Sequence, residues 1–423
     1  MKIYLDTIGC RLNQAEIETY ARQFRTAGHT LVARPEEADL AVINTCTVTN
    51  QADSDSRQKI RQVVRAGLQN VIVTGCWATL KQQEAQAMAG VGRVISNAEK
   101  DHLVSRLLDV PEETFDLEPV ERQPIPGARL RTRAFIKAQD GCNNRCAYCI
   151  TALARGPGRS RPASEILNDI HHCGDAQEIV LTGVHLGSWG HDLAPKLNLR
   201  HLVQDILDEC DVSRLRLSSL EPWDIDDNFF DLWQNPRLCR HLHLPLQSGC
   251  AVTLQRMRRR ITPEAYASLI GNARAAIPGV AITTDIITGF PSENEAEFEE
   301  SLEFVRRMQF ADGHVFTFSA RPGTAAAEMP DQVPFAVRKV RNARMRSALD
   351  ESAQRYQASF VGQELPVLWE SAAALGPEGW EMSGLTGNYL RVSARAPRHL
   401  WNQITPVRLT GISAHGLQGQ VQL

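Results

Sequence analysis

A chain of 423 residues with 43% apolar and 22% charged side chains is long enough for two or three separately cored domains and has the balance of an ordinary soluble protein. Its formal net charge of -3 excludes a protein coated with basic residues for bulk nucleic-acid binding, so any such contact has to come from local patches. The start, Met1-Lys2-Ile3-Tyr4-Leu5-Asp6, has no apolar leader core, and no run reaches the ~20 apolar residues of a spanning helix. The expectation is a cytoplasmic location, no membrane contact and ten reduced cysteines.

The first third alternates short apolar runs with helical segments. Lys2 to Ile8, Leu40 to Asn44 and Val71 to Thr74 read as buried strands, with helices over Glu16 to Ala27 and Ser54 to Ala66 between them. This βαβ pattern predicts an open parallel sheet. A cysteine follows each strand: Cys10, Cys46 and Cys76. Loops leaving the carboxyl ends of neighbouring parallel strands converge, so three cysteines distant in sequence should meet in space. Gly9, Gly75, Thr45 and Thr47 beside them suit close approach. Taken singly each cysteine reads as a small buried residue; together they read as three ligands of an iron–sulfur cluster.

Residues from about Val110 to Arg131 are rich in Pro, Glu and Arg, the composition of a linker. After it, Gly141-Cys142-Asn143-Asn144-Arg145-Cys146-Ala147-Tyr148-Cys149 places three thiols at Cys-x3-Cys-x2-Cys spacing. Three thiolates can hold three irons of a 4Fe-4S cubane and leave the fourth iron open to a small-molecule chelator such as S-adenosylmethionine. Structural zinc, the competing reading of a Cys-x2-Cys pair, calls for four ligands and usually pairs its cysteines.

The middle segment repeats strand then helix. Thr132 to Ala138, Glu178 to Gly183, Arg214 to Ser219, His241 to Leu246, Val280 to Thr288 and Gly313 to Phe318 read as six strands, with helices such as Pro162 to Cys173, Leu199 to Cys210, Pro263 to Ala276 and Glu295 to Met308 between them. Six βα units fall short of the eight of a complete TIM barrel and predict an open partial barrel. Sites on such barrels form at the carboxyl ends of strands, which makes Thr182, Gly183, Ser218, Glu221, Gln247, Asp285 and Gly289, with Tyr148 beside the last thiol, candidate cofactor contacts. Each alone reads equally as a loop cap. His185, His241 and His243 read as core or rim residues, and Cys173, Cys210, Cys239 and Cys250 as ordinary small residues.

Two basic patches, Arg256, Arg258, Arg259, Arg260 and Arg338, Lys339, Arg341, Arg344, Arg346, are either solvated helix faces or RNA-facing surfaces. The second lies on a basic helix from about Val337 to Gln357. Beyond Phe360, short β-prone runs at Leu365 to Glu370, Tyr389 to Val392, Thr405 to Leu409 and Gly416 to Leu423 predict a small antiparallel β-barrel of OB-like type.

The chain resembles the radical S-adenosylmethionine methylthiotransferases on Ile8-Gly9-Cys10-Arg11-Leu12-Asn13-Gln14, Asn44-Thr45-Cys46-Thr47-Val48-Thr49, Thr74-Gly75-Cys76, the central triplet, Arg155-Gly156-Pro157-Gly158-Arg159-Ser160-Arg161, Leu244 to Gly249 and Asp285 to Pro291. Ile150-Thr151-Ala152-Leu153 stands where that family has a Pro-containing run. The resemblance implies four segments: an α/β domain with an auxiliary cluster over 1–115, a linker over 116–131, a radical SAM partial barrel over 132–357 and an RNA-binding TRAM-like barrel over 358–423. It implies two 4Fe-4S clusters, one on Cys142, Cys146 and Cys149 that cleaves S-adenosylmethionine reductively, the other on Cys10, Cys46 and Cys76 that supplies sulfur. The residues beside Cys10 and Cys46 are similar to the branch acting on N6-threonylcarbamoyladenosine at position 37 of tRNA. Sister branches act on isopentenyladenosine in tRNA or on a ribosomal protein, and a non-catalytic iron–sulfur RNA-binding protein is the reading from another class. Implied partners are a tRNA anticodon stem-loop, an electron donor of flavodoxin or ferredoxin type, and a sulfur source.

Overall fold

A computed structural model describes residues 1–115, 122–127, 132–376 and 379–422. The first sheet is parallel throughout, in the order β2-β1-β3-β4-β5, from β1 (Lys2–Thr7), β2 (Thr30–Leu31), β3 (Leu40–Thr45), β4 (Val71–Gly75) and β5 (Val91–Val94). Every residue of β3 is buried, because Leu40 and Val42 face one core with Phe24 while Ala41 and Ile43 face the other with Trp77. That double burial is why the strand reads as an unbroken apolar run. Helix α1 (Arg11–Thr26) covers one face and α2 (Asn50–Arg65) the other. The chain thus reverses its winding between β1 and β3, and their outgoing loops part to leave a crevice.

Helix α1 begins five residues before the predicted Glu16. Its first two turns carry Asn13 and Glu16 inward, both buried, where the apolar period leads one to expect hydrophobic residues. Helix α2 also starts earlier than predicted, at Asn50, capped by the Thr49 hydroxyl accepting from the Ala52 N–H at 3.2 Å. The linker predicted over 110–131 lies partly outside the described residues; within them Glu112–Phe115 form a 3-10 turn, and Arg122 Nε donates to Glu18 Oε2 at 3.0 Å.

Six parallel strands follow: β6 (Arg133–Asp140), β8 (Glu178–Gly183), β9 (Leu215–Leu217), β10 (His241–His243), β11 (Ala281–Thr288) and β12 (Asp312–Thr317). They pair in chain order, with β9 joined to β10 only through single bridges such as Ser219 to His243. A two-residue strand β7 (Arg159–Ser160) caps the outer edge of β6 antiparallel. Among the described residues β6 and β12 do not pair, so the barrel stays open. Helix α1 lies against it, with Ala15 packed on Phe135 and Val180.

The chain ends in a closed five-stranded barrel in the order β13-β14-β15-β17-β16, from β13 (Glu364–Gly376), β14 (Gly379–Thr386), β15 (Arg391–Ala396), β16 (Ile404–Ser413) and β17 (Gly416–Val421). It is antiparallel except for β15 against β17. Strand β14 was absent from the sequence expectation because its glycines look like punctuation. Gly384 instead lies inside the strand, where a Cβ would stand 2.3 Å from the Leu368 carbonyl oxygen.

This small barrel docks on the partial barrel through arginines of β9 and its approach. Arg214 donates to the Leu385 and Pro366 carbonyls at 3.0 and 2.7 Å. Arg216 donates to the Gly387 and Thr386 carbonyls at 3.1 and 3.2 Å while forming a fully buried pair with Glu178 at 2.7 Å. No described helix is long and apolar enough to cross a membrane.

Candidate functional site

The loops after β1, β3 and β4 bring Cys10, Cys46 and Cys76 to the edge of the cavity into which the loop after β6 presents Cys142, Cys146 and Cys149. This cavity, about 780 Å³, is the place where the first sheet, the partial barrel and the C-terminal barrel meet. Two glycines permit the approach of the first three thiols. At Gly9, with φ +113°, a Cβ would lie 2.6 Å from Cys46 Cβ; at Gly75, with φ +95°, it would lie 2.3 Å from the Thr45 carbonyl oxygen. Only glycine fits such positions.

All ten cysteines are free thiols. Burial raises the Cys46 thiol to about 11, opposed by the Val48 N–H and reinforced by Cys10 and Cys76. Cys10 is open to solvent along one side, yet its sulfur lies under enough protein for burial to raise it too, against the pull of Arg155. Burial likewise raises Cys146 to about 11, with Arg259 opposing. Among the described residues no three His, Cys, Asp or Glu close on a point fit for one metal ion. The fit to a larger iron–sulfur group rests on donor chemistry: each set offers three soft sulfur ligands to the cavity, and a neighbouring guanidinium to offset thiolate charge.

Arg155 links the two sets. Its Nε donates to Cys76 Sγ at 3.2 Å, its Nη2 to Asn13 Oδ1 at 2.6 Å, and its Nη1 to Glu16 and Asp140, each at 2.9 Å. Lys100 Nζ reaches the same carboxylates at 2.5 and 2.7 Å. Burial raises the Glu16 carboxyl, but Arg155 and Lys100 outweigh it and hold it at about 2. Around the central triplet, Arg259 Nη1 donates to Cys146 Sγ at 3.9 Å and its Nη2 pairs with Glu221 at 2.7 Å. His185 pairs with Asp224 at 2.5 Å; burial disfavours its charge, yet Asp224 and the Cys142 sulfur raise it to about 10.

Tyr148, Thr182, Gly183 and Ser218 line the cavity, as do Glu221, Gln247 and Asp285. Ser218 Oγ and Asp285 Oδ1 are buried there without a hydrogen-bond partner among the described residues, a state that suits a polar ligand. Gly289 does not line it. Its N–H donates to Glu293 Oε1 at 2.9 Å and the Arg338 side chain packs over its Cα, so it serves a turn rather than the cavity. His241 and His243 face the cavity and share Thr283 Oγ1 at 3.0 and 2.9 Å, whereas Cys173, Cys210, Cys239 and Cys250 are buried elsewhere.

The basic patches dissolve into separate roles. Arg259 is buried beside Cys146 and Arg256 pairs with Glu297; Arg341 is buried against Glu293 and Arg344 pairs with Glu299. Arg258, Arg260, Lys339 and Arg346 alone of these stay exposed. The contact of Arg11 with Tyr389 inside the cavity is not legible in the sequence, because their 378-residue separation leaves no local signal.

An open barrel of six parallel strands with a three-cysteine loop after its first strand defines the class: a radical S-adenosylmethionine enzyme. Residues 136–305 match the model of the radical SAM superfamily, and residues 2–96 that of an uncharacterized protein family, UPF0004. The radical methyltransferase TsrM of Kitasatospora setae, only 12% identical, shares the fold with a TM-score of 0.58 over 77% of this chain and 76% of that one. The threonylcarbamoyladenosine tRNA methylthiotransferase MtaB of Bacillus subtilis is 36% identical, covering 95% of this chain and 92% of its own. A tRNA-2-methylthio-N(6)-dimethylallyladenosine synthase of Syntrophotalea carbinolica is 32% identical over 96% of each. The chain belongs to the radical S-adenosylmethionine methylthiotransferase family, in the branch of its Bacillus relative.

Proposed function

We propose that this protein converts N6-threonylcarbamoyladenosine at position 37 of tRNA to its 2-methylthio derivative. The observation that carries the reading is the meeting of two three-cysteine sets at one cavity, since sulfur insertion at an unactivated carbon needs a radical source and a sulfur source within reach of one atom. The Bacillus subtilis and Thermotoga maritima relatives, 36% and 34% identical, support the substrate branch.

Cys142, Cys146 and Cys149 would hold one 4Fe-4S cluster and Cys10, Cys46 and Cys76 the other. When bound, the clusters and S-adenosylmethionine supply the electron, the hydrogen-abstracting radical, the sulfur and the methyl group. The chain's own residues position and insulate. Arg155 fixes the two loop sets against one another, Ser218 and Asp285 offer polar atoms to the cofactor, and Tyr148, edge-on to Phe290 at 6.5 Å, helps wall the triplet from water. We divide the chain at 115, 131 and 357, with the last segment acting as an RNA-binding TRAM-like barrel. A flavodoxin- or ferredoxin-type donor would deliver the electron, in a cytoplasmic setting.

Anaerobically reconstituted protein is the test. Reductant-dependent release of 5'-deoxyadenosine is expected, and a methylthio nucleoside when threonylcarbamoyladenosine-containing tRNA is added. Intact clusters with no 5'-deoxyadenosine would instead support a non-catalytic iron–sulfur RNA-binding protein.

A further inference from the structure

The charged groups facing the cavity are mostly matched within the protein. Arg155 is paired with Glu16 and Asp140, Glu221 with Arg259, and Asp285 with His243 at 3.2 Å. Arg11 stands apart. It is half-buried, opens α1 directly after Cys10, and its guanidinium forms no ion pair among the described residues. Its one hydrogen bond among the described residues runs from Nη2 to the Tyr389 hydroxyl at 2.9 Å, with the guanidinium 5.8 Å from that ring. A guanidinium carries five N–H donors in a fixed fork, so most of the fork of this cavity-lining side chain has no acceptor among the described residues.

The anchor itself is held firmly. The Tyr389 ring stacks on His241 at 4.5 Å and 15°, and Arg216 lies 4.9 Å from its centroid. The turn carrying Tyr389 is tied down by the Arg216 bonds to Thr386 and Gly387 and by Asn388 Nδ2 donating to the Tyr356 hydroxyl at 3.0 Å. His241 is kept neutral by burial, so it does not compete for an anion. Asp312, the remaining cavity carboxylate and without an ion pair among the described residues, is solvent-exposed and accepts from its own neighbour's N–H.

We propose that Arg11, oriented by Tyr389, receives the carboxylate of the threonylcarbamoyl group and thereby selects that substrate over an adenosine with an apolar N6 substituent. The inference rests on the functional reading above. A threonylcarbamoyl group ends in an amino-acid carboxylate that is ionised at neutral pH, and taking it out of water demands a charged, preferably bidentate, partner. An isopentenyl group offers no acceptor, so its entry would leave the guanidinium desolvated and unpaired. A site built around such a partner rejects analogues lacking it far more strongly than an apolar pocket rejects a misfit.

The test compares kcat/KM on two tRNAs, one with N6-threonylcarbamoyladenosine and one with N6-isopentenyladenosine at position 37. For Arg11→Gln the expected result is a fall on the order of 10²-fold on the first with no parallel fall on the second, and Arg11→Lys should restore part of the preference. Iron and sulfide content are measured alongside because Arg11 adjoins Cys10. Should Arg11→Gln lose iron, Tyr389→Phe answers the question: it leaves the charge and both cysteine loops in place, and should raise KM for the threonylcarbamoyl tRNA more than it lowers kcat. An iron-replete Arg11→Gln, or failing that Tyr389→Phe, that keeps the wild-type preference or loses activity equally on both tRNAs overturns the proposal. Wild-type conversion of the isopentenyl tRNA alone would overturn the underlying reading instead.

Discussion

Arg155 Nε donates to Cys76 Sγ at 3.2 Å, joining the helix after the central cysteine triplet to a thiol 79 residues earlier, just past β4 of the first sheet. The same guanidinium satisfies Glu16 and Asp140, one from each side of that boundary. Arg155→Ala would leave two buried carboxylates sharing Lys100, with only the more distant Lys137, 3.8 Å from Asp140, beside them. Removing one partner from a buried charge cluster costs about 3–5 kcal/mol, so a large drop in the urea midpoint is expected. An unchanged midpoint would show that the cluster contributes little to joining the two units.

The two cysteine sets should separate by function. Cys146→Ala is expected to abolish reductive cleavage of S-adenosylmethionine, while Cys46→Ala spares 5'-deoxyadenosine formation and stops methylthiolation. Chromatography of the reaction for both products distinguishes them, and wild-type methylthio product from Cys46→Ala would refute the sulfur-supplying role.

Gly9→Ala places a Cβ 2.6 Å from Cys46 Cβ at a φ of +113°. The strain, about 1–3 kcal/mol, can be relieved only by moving the Cys10 or Cys46 loop. Iron content should fall by up to half, with the spectroscopic signal of the central-triplet cluster retained.

Glu178 predicts an acid-sensitive seam under the C-terminal barrel. Burial raises its carboxyl, but Arg216 outweighs burial and sets it below its ordinary 4.5. A depressed carboxyl contributes stability above its unfolded value, lost as pH falls through the folded value. Glu178→Gln should therefore cost about 3–5 kcal/mol at pH 7, and the gap to wild type should narrow below about pH 4. Denaturant titrations of both proteins from pH 7 to 3 measure it; a gap independent of pH would contradict the pairing.

The strands that lead to Cys46 and Cys76 were legible because each is a short apolar run buried on both faces, the one before Cys10 because Ile3 and Leu5 alternate onto a single buried face, and the central triplet because its spacing is local. The start of α1 was not, since Asn13 and Glu16 point inward to meet Arg155 and Asn44 from distant segments. Arg259 looked like surface charge among its basic neighbours, and only the fold puts Glu221 and Cys146 beside it. Tyr389 read as the start of a strand, yet it occupies a turn with φ +67° whose partners, Arg11 and His241, come from the other two parts of the chain. Long-range electrostatic matching has no period for a sequence to display.

The most direct measurement is nucleoside mass spectrometry of total tRNA from a host lacking its own methylthiotransferases, with and without this gene. The account predicts 2-methylthio-N6-threonylcarbamoyladenosine only when the gene is present. The 2-methylthio isopentenyl nucleoside in its place, or no new nucleoside from protein loaded with both clusters, would contradict it.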